Sequence, residues 1–190
     1  MTAAMPANVS VYSGPEKVRR RGADRPAFRD AWTLEAALRH GDVAEPKEDG
    51  RWAHVRIADG AAVLVSREGR EMARPPVPAG VSAVLCAEYL IGQPGCRQGS
   101  PRHGAVVVFD CIERDGRDLR ALPLWARREH AAAVVAALGR PFELVPQSRV
   151  ADVDPAEVRR TLAAVDAEGI VVKDSAAAYG ATWTRWKRRA

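Results

Sequence analysis

Ala44-Glu45-Pro46-Lys47-Glu48-Asp49-Gly50-Arg51-Trp52 is the stretch on which the reading of the fold turns. Its lysine lies between a proline-stiffened approach and an acidic Asp-Gly step, directly ahead of the strand-like run from Trp52 to Ile57. Lysine is a poor nucleophile while charged. A catalytic lysine must therefore sit where its proton is easily lost, or where phosphate replaces water beside it. Asp49-Gly50 is expected to supply a tight turn that fixes the lysine stem. Alone, this pattern reads as a solvated hairpin turn, and what decides between the two readings lies further along the chain.

The 190 residues suit one domain, or one domain with a tail, and suffice to bury a core. With 47% hydrophobic and 28% charged residues, the composition is that of a soluble globular protein. No apolar run is long enough to span a membrane, and the N-terminus lacks the apolar core of a secretory signal. Cys86, Cys96 and Cys111 have no metal-ligand spacing, so reduced thiols in a cytoplasmic protein are expected, with no membrane partner. The net charge of +5 is dominated by arginine, which suits phosphate recognition. A chain rich in Ala, Arg, Gly and Val reaches the same balance through composition alone, so charge favours a nucleic-acid partner only modestly.

Residues 1–30 read as a flexible arm with the basic cluster Lys17-Val18-Arg19-Arg20-Arg21, and residues 31–190 as the folded domain. Thr33 to His40 predicts a short helix stopped by Gly41. Trp52–Ile57 and Ala61–Ser66 flank the hairpin signal Asp59-Gly60. Val81–Ile91 predicts a long strand with one carboxylate, Glu88, among apolar residues; buried carboxylates need partners, which marks Glu88 as a candidate site residue. Gly104–Ile112 predicts another strand, running into a turn near Asp115-Gly116. Leu122–Leu138 predicts a helix ended by Gly139. Asp154-Pro155-Ala156-Glu157 opens a further helix, with Asp154 as cap, Glu157 as box partner and Val158, Leu162 and Val165 inside. Ile170-Val171-Val172 reads as a short buried strand. The tail Trp183–Ala190 alternates aromatic and basic residues, its tryptophans reading first as packing residues. The histidines are scattered and receive no role.

Neither a Gly-x-x-x-x-Gly-Lys nor a Gly-x-Gly-x-x-Gly loop is present. Instead, short segments in a fixed order resemble the covalent nucleotidyltransferases: ATP-dependent DNA ligases, RNA ligases and mRNA capping enzymes. Lys47-Glu48-Asp49-Gly50 resembles their nucleophile motif, and Arg67-Glu68-Gly69 the Arg-x-Gly that follows. Glu88 and Phe109-Asp110 resemble the middle motifs. Glu168-Gly169-Ile170-Val171-Val172-Lys173 resembles Glu-Gly-x-Val-x-Lys, and Arg185-Trp186-Lys187 the closing Lys-x-Lys. Asp115 to Arg120, Leu122-Pro123-Leu124 and Arg127-Arg128 are similar to the stretch between these motifs in bacterial DNA ligases.

The resemblance implies an α+β fold: two antiparallel β-sheets with flanking helices and a nucleotide groove between them, like the ligase catalytic domain and ATP-grasp proteins. It implies that Lys47 takes AMP from ATP, with Lys173, Lys187 and Mg²⁺ (or Mn²⁺) meeting the charge on phosphate. Glu168 and Glu88 are the implied metal ligands. Arg67 is implied at the ribose or 5′-phosphate, Phe109 on the adenine face, Glu45 near the adenine edge and Arg185 at phosphate. Phe109 taken alone reads as core; its place in the series marks it. The expected activity is sealing of nicked DNA, with RNA as the alternative acceptor. Two other classes stay open: a nucleotide- or nucleic-acid-binding module needing a partner, and an adenylyltransferase acting on something else.

The chain departs from the family pattern in places. Trp52 stands where ligases place an arginine, only the carboxylate of Asp-Gly-Glu survives at Glu88, and Arg185 replaces a lysine. Family members continue into an OB-fold domain; here none is expected within the chain, and a separate OB-fold or repair-protein partner is the implied substitute. Slow self-adenylylation and weak hold on nicked duplex follow from that expectation.

Overall fold

The computed structural model describes residues 26–91, 102–164 and 168–188. In chain order the elements are β1 (Phe28–Asp30), α1 (Leu34–Leu38), β2 (Val43–Lys47), β3 (Arg51–Ala58), β4 (Ala61–Ser66), β5 (Glu71–Ala73) and β6 (Ala83–Tyr89). There follow β7 (Val106–Arg114), β8 (Arg117–Asp118), α2 (Leu124–Leu138), β9 (Phe142–Leu144), β10 (Ser148–Arg149), α3 (Pro155–Ala164), β11 (Gly169–Lys173) and β12 (Trp183–Lys187). A five-stranded sheet runs β1-β12-β11-β2-β10; a seven-stranded sheet runs β5-β4-β3-β6-β7-β8, with β9 also on β7. The fold is mixed α+β with two sheets, as the resemblance implies. Among the described residues, no helix is long and apolar enough to cross a membrane.

Local chemistry accounts for the punctuation. Ala58 pairs with Ala61 across a two-residue loop in which Asp59 has φ 50° and Gly60 φ 74°, the left-handed pair that a type I′ hairpin needs. Asp115 and Gly116 repeat it, at φ 52° and 75°. The Thr33 hydroxyl caps α1 by accepting from Ala36 N at 3.1 Å, and an Asp154 oxygen accepts from Ala156 N at 2.9 Å at the start of α3. Gly139, at φ 66°, closes α2. Val165 lies outside the described residues.

Each sheet buries one face under helices. Val106, Val108, Leu85 and Ala87 pack with Ala131, Val134 and Leu138 of α2. Ile170, Val172 and Ala44 pack with Leu34, Ala37 and Leu162 of α1 and α3. Because side chains alternate along a strand, the intervening residues Glu45 and Lys47, Val171 and Lys173, and Trp183, Arg185 and Lys187 turn to the opposite face, where all of them line one cavity. Asp110 and Arg127, both fully buried, join β7 to α2 through a two-point ion pair at 2.8 and 2.9 Å.

Several expectations are corrected. Phe28–Asp30 belongs to the sheet rather than to the N-terminal arm: it pairs in parallel with β12, held by Ala31 N to Arg185 O and Trp183 N to Ala27 O at 2.9 Å each. Residues 1–25, the rest of the expected arm, lie outside the described residues. Within the aromatic-basic tail, for which no element is expected from sequence, Trp183–Lys187 forms β12 between β1 and β11. The sheets are not wholly antiparallel, since β9 also joins in parallel. Glu48-Asp49-Gly50 is not a hairpin: it carries the chain from one sheet to the other. Gly50 is required there by close approach, a Cβ at this position falling 2.6 Å from Tyr89 O.

Candidate active site

The inner faces of the two sheets enclose a cavity of about 820 Å³. Lys47, Glu45, Arg67, Glu88, Phe109, Glu168, Lys173, Arg185 and Lys187 all line it, so every candidate read from the sequence is brought to one place. The register explains how. Gly169 stands between Lys47 on one side and Lys187 on the other, a row in which the middle residue has no side chain. A Cβ at Gly169 would come within 1.9 Å of Trp186 O, so glycine here permits close strand contact and leaves the space between the lysines open.

Glu168, just before Gly169, uses that space. One carboxylate oxygen pairs with Lys47 Nζ and the other with Lys187 Nζ. Burial opposes its ionisation, yet the hydrogen bonds from Lys187 and Lys47 prevail and hold its pKa below the ordinary value. Glu168 N also donates to Lys47 O at 2.9 Å, which ties the end of β2 to the start of β11.

The second pair lies deeper. Lys173 (1% exposed) and Glu45 (3%) form an ion pair. Glu45 also accepts from Gln147 Nε2 at 2.9 Å and has Arg128 at 3.6 Å. The Lys173 ammonium stands 3.9 Å from the Trp183 ring centroid and 5.1 Å from that of Phe109, a cation–π setting that offsets part of its desolvation. Phe109 is half-buried at the cavity wall, edge-on to Trp183 at 5.8 Å. Glu45 and Phe109 are therefore both in contact with Lys173.

Arg185 grips Asp30 with its fork and lies 5.1 Å over Phe28. The hydrogen bond from Arg185 is the main reason that the Asp30 pKa falls below its ordinary value. Glu88 faces Trp52 across the β3–β6 pairing. Arg67 is exposed at the rim, in a turn closed by Ser66 N to Arg70 O at 2.8 Å. Sequence reasoning missed Asp30, Arg102 and Gln147, and noted Arg128 only within the ligase-like stretch, without a role at the site. Asp30 and Gln147 carry no local signal, their partners being 155 and 102 residues away in sequence.

Among the described residues, no group of three His, Cys, Asp or Glu side chains is gathered to cage a metal. Magnesium needs no such cage, taking one or two carboxylates with phosphate and water. Glu168 and Glu88, both on the cavity wall, are an oxygen-donor set of that kind, so the residues present fit.

Residues 98–188 match the model of the ATP dependent DNA ligase domain. The matched stretch, a little under half of the chain, is similar to that family. It contains Phe109, Glu168, Lys173, Arg185 and Lys187, whereas Lys47, Arg67 and Glu88 lie upstream and are linked to it by the shared cavity. Similar solved structures include the ligase domain of LigD from M. tuberculosis, at 18% identity and TM-score 0.60, covering 86% of this chain and 59% of that one. A mycobacterial DNA ligase D complexed with ATP and MES matches at 18% identity and TM-score 0.61, over 87% of this chain and 61% of that one. An archaeal ATP-dependent RNA ligase matches at 20% identity and TM-score 0.53, over 85% and 47%. At these identities the likeness is one of fold. The chain spans 59% and 61% of the two mycobacterial ligase structures. No curated protein matches it by sequence.

Proposed function

We propose that this chain is an ATP-dependent polynucleotide ligase of the DNA ligase type, with Lys47 as the nucleophile that carries AMP. The observation that carries this reading is the Lys47–Glu168–Lys187 bridge at the wall of a cavity large enough for a nucleotide. Glu168 holds the nucleophile and a second cation side by side, and phosphate oxygens can take over both lysines when ATP enters. Lys47, once neutral, attacks the α-phosphorus and forms a P–N bond while the bond to pyrophosphate breaks. Lys173 and Lys187 meet the charge that develops on the non-bridging oxygens. Glu168 and Glu88 would hold Mg²⁺ or Mn²⁺, which supplies further charge neutralisation at phosphate. Phe109 offers its face to adenine, for which Lys173 exchanges Glu45 for phosphate. Arg185 and Arg67 serve the phosphate and ribose, and the bound AMP then passes to a 5′-phosphate end that is sealed to a 3′-hydroxyl.

The acceptor is tested with matched nicked duplexes of DNA and RNA, ATP and Mg²⁺. We expect sealing of the DNA nick. Sealing of the RNA duplex alone selects the RNA ligase reading, which the similarity to an archaeal RNA ligase makes the second one. Self-labelling with sealing of neither leaves an adenylyltransferase or a chain that needs a separate partner for sealing.

A further inference from the structure

The segment Glu48-Asp49-Gly50, which carries Lys47 on its leading edge, crosses between sheets without a strand partner of its own. Its start is held from the five-stranded sheet by Glu168 N on Lys47 O. A second fastening comes from the turn that leads into β7 of the seven-stranded sheet. Arg102 closes a two-point fork on Glu48, Nη1 to Oε2 at 3.0 Å and Nη2 to Oε1 at 3.1 Å. The same Nη2 lies 3.7 Å from Glu143 Oε2 on β9. The backbone of Arg102 is itself anchored at the foot of β7: Ala105 N donates to Arg102 O at 3.1 Å, and Leu90 N to Ala105 O at 2.9 Å. The Glu48 side chain is 10% exposed and that of Arg102 37%, so the fork is sheltered at its carboxylate end and open at its arginine end; its two-point geometry, rather than burial, sets it apart from a single surface ion pair.

Resting on the reading of Lys47 as nucleophile, we propose that Arg102 is a positioning residue for it. Through Glu48, it sets where Lys47 stands relative to the sheet that carries Phe109 and Glu88. Arg102 touches no reacting atom. It fixes the distance between the amine, which belongs to one sheet, and the surfaces of the other sheet that bind the nucleotide. A displaced amine loses attack rate while nucleotide binding survives, since reaction depends on geometry far more steeply than binding does.

The test compares wild type with Arg102→Ala, Arg102→Lys, Glu48→Gln and the exchanged pair Glu48→Arg/Arg102→Glu. Two readouts are taken: single-turnover labelling by α-labelled ATP, and the rate at which Lys47 is modified by an amine-directed reagent without nucleotide, read by peptide mass mapping. We expect Arg102→Ala to label roughly 10- to 100-fold more slowly at unchanged half-saturating ATP, and to alter Lys47 modification several-fold. Glu48→Gln, which keeps the side-chain volume, should do the same. Lysine at 102, which cannot form the planar fork, should not rescue, whereas the exchanged pair should recover part of the rate. Unchanged Lys47 modification in both Arg102→Ala and Glu48→Gln would overturn the proposal, as would equal losses of labelling and ATP affinity. If wild type takes no label, the nucleophile reading falls, while amine modification still decides the positioning.

Discussion

Glu168 and Glu45 are two carboxylates facing the same cavity, and their surroundings give them different parts. Glu168 is partly open to solvent and shared between Lys47 and Lys187, and its pKa is held down by them. A depressed folded-state value stabilises the protein above the ordinary pKa, about 4.5. That contribution is lost as pH falls through the lower folded value. Thermal melts of wild type and Glu168→Gln should accordingly differ at neutral pH and converge in acid below pH 4.5; a constant gap would show that the ion pairs do not act through ionisation. Glu45 is buried with Lys173, and removing either partner strands a charge. The two losses should be unequal. Glu45→Ala leaves Lys173 with aromatic rings alone and should cost about 3–5 kcal/mol in denaturant unfolding. Lys173→Met should cost less, since Glu45 keeps Gln147 and Arg128. None of these pairings has a sequence signature. The family resemblance marked Glu45, Glu168 and Lys173 as members of a site, and only the strand register says which cation meets which carboxylate.

At the scale of elements, two kinds of glycine carry the architecture. Gly60 is needed for its backbone, at φ 74° with a Cβ meeting only Val77 O at 3.7 Å. Gly60→Ala should cost about 1–2 kcal/mol, the strain of a left-handed residue. Gly169 is needed for space, a Cβ there falling 1.9 Å from a backbone oxygen of β12. Gly169→Ala must push β11 and β12 apart, so it should lose about 3 kcal/mol, the upper end of the usual overpacking cost, and, unlike Gly60→Ala, should abolish labelling. Comparable losses of both stability and labelling in the two variants would contradict this distinction. The hairpins, caps and longer strands were legible because they follow from residues adjacent in sequence. The strands β1, β9 and β10 were not, each having two or three residues, too few for an alternation to show; nor were β2, which contains Pro46, and β12. Taken alone, the crossing after Lys47 reads as a hairpin because Asp-Gly marks a turn equally well when the next strand joins another sheet.

For the whole molecule, the decisive feature is that separate sheets contribute to one cavity. Lys47, Glu168, Lys173 and Lys187 come from the five-stranded sheet or its approach; Glu88 and Phe109 come from the seven-stranded one. The order of motifs in the sequence was enough to group them, but the distances between them depend on how the sheets face each other, which no local pattern encodes. A nucleotide bridging the sheets stabilises the folded state by mass action. ATP at 100 times its dissociation constant should add about 2.7 kcal/mol and raise the melting temperature by roughly 5–10 °C. No shift with ATP and Mg²⁺ would exclude the cavity as a nucleotide site.

The measurement that bears most directly on the central claim is covalent self-labelling. The protein is incubated with α-labelled ATP and Mg²⁺, denatured, and resolved, alongside Lys47→Ala. Label that stays on the wild-type chain, maps to Lys47 and is absent from the variant is the predicted result. Wild type without label, with nicked duplex and excess metal present, would contradict the account and leave a nucleotide-shaped cavity without the chemistry assigned to it.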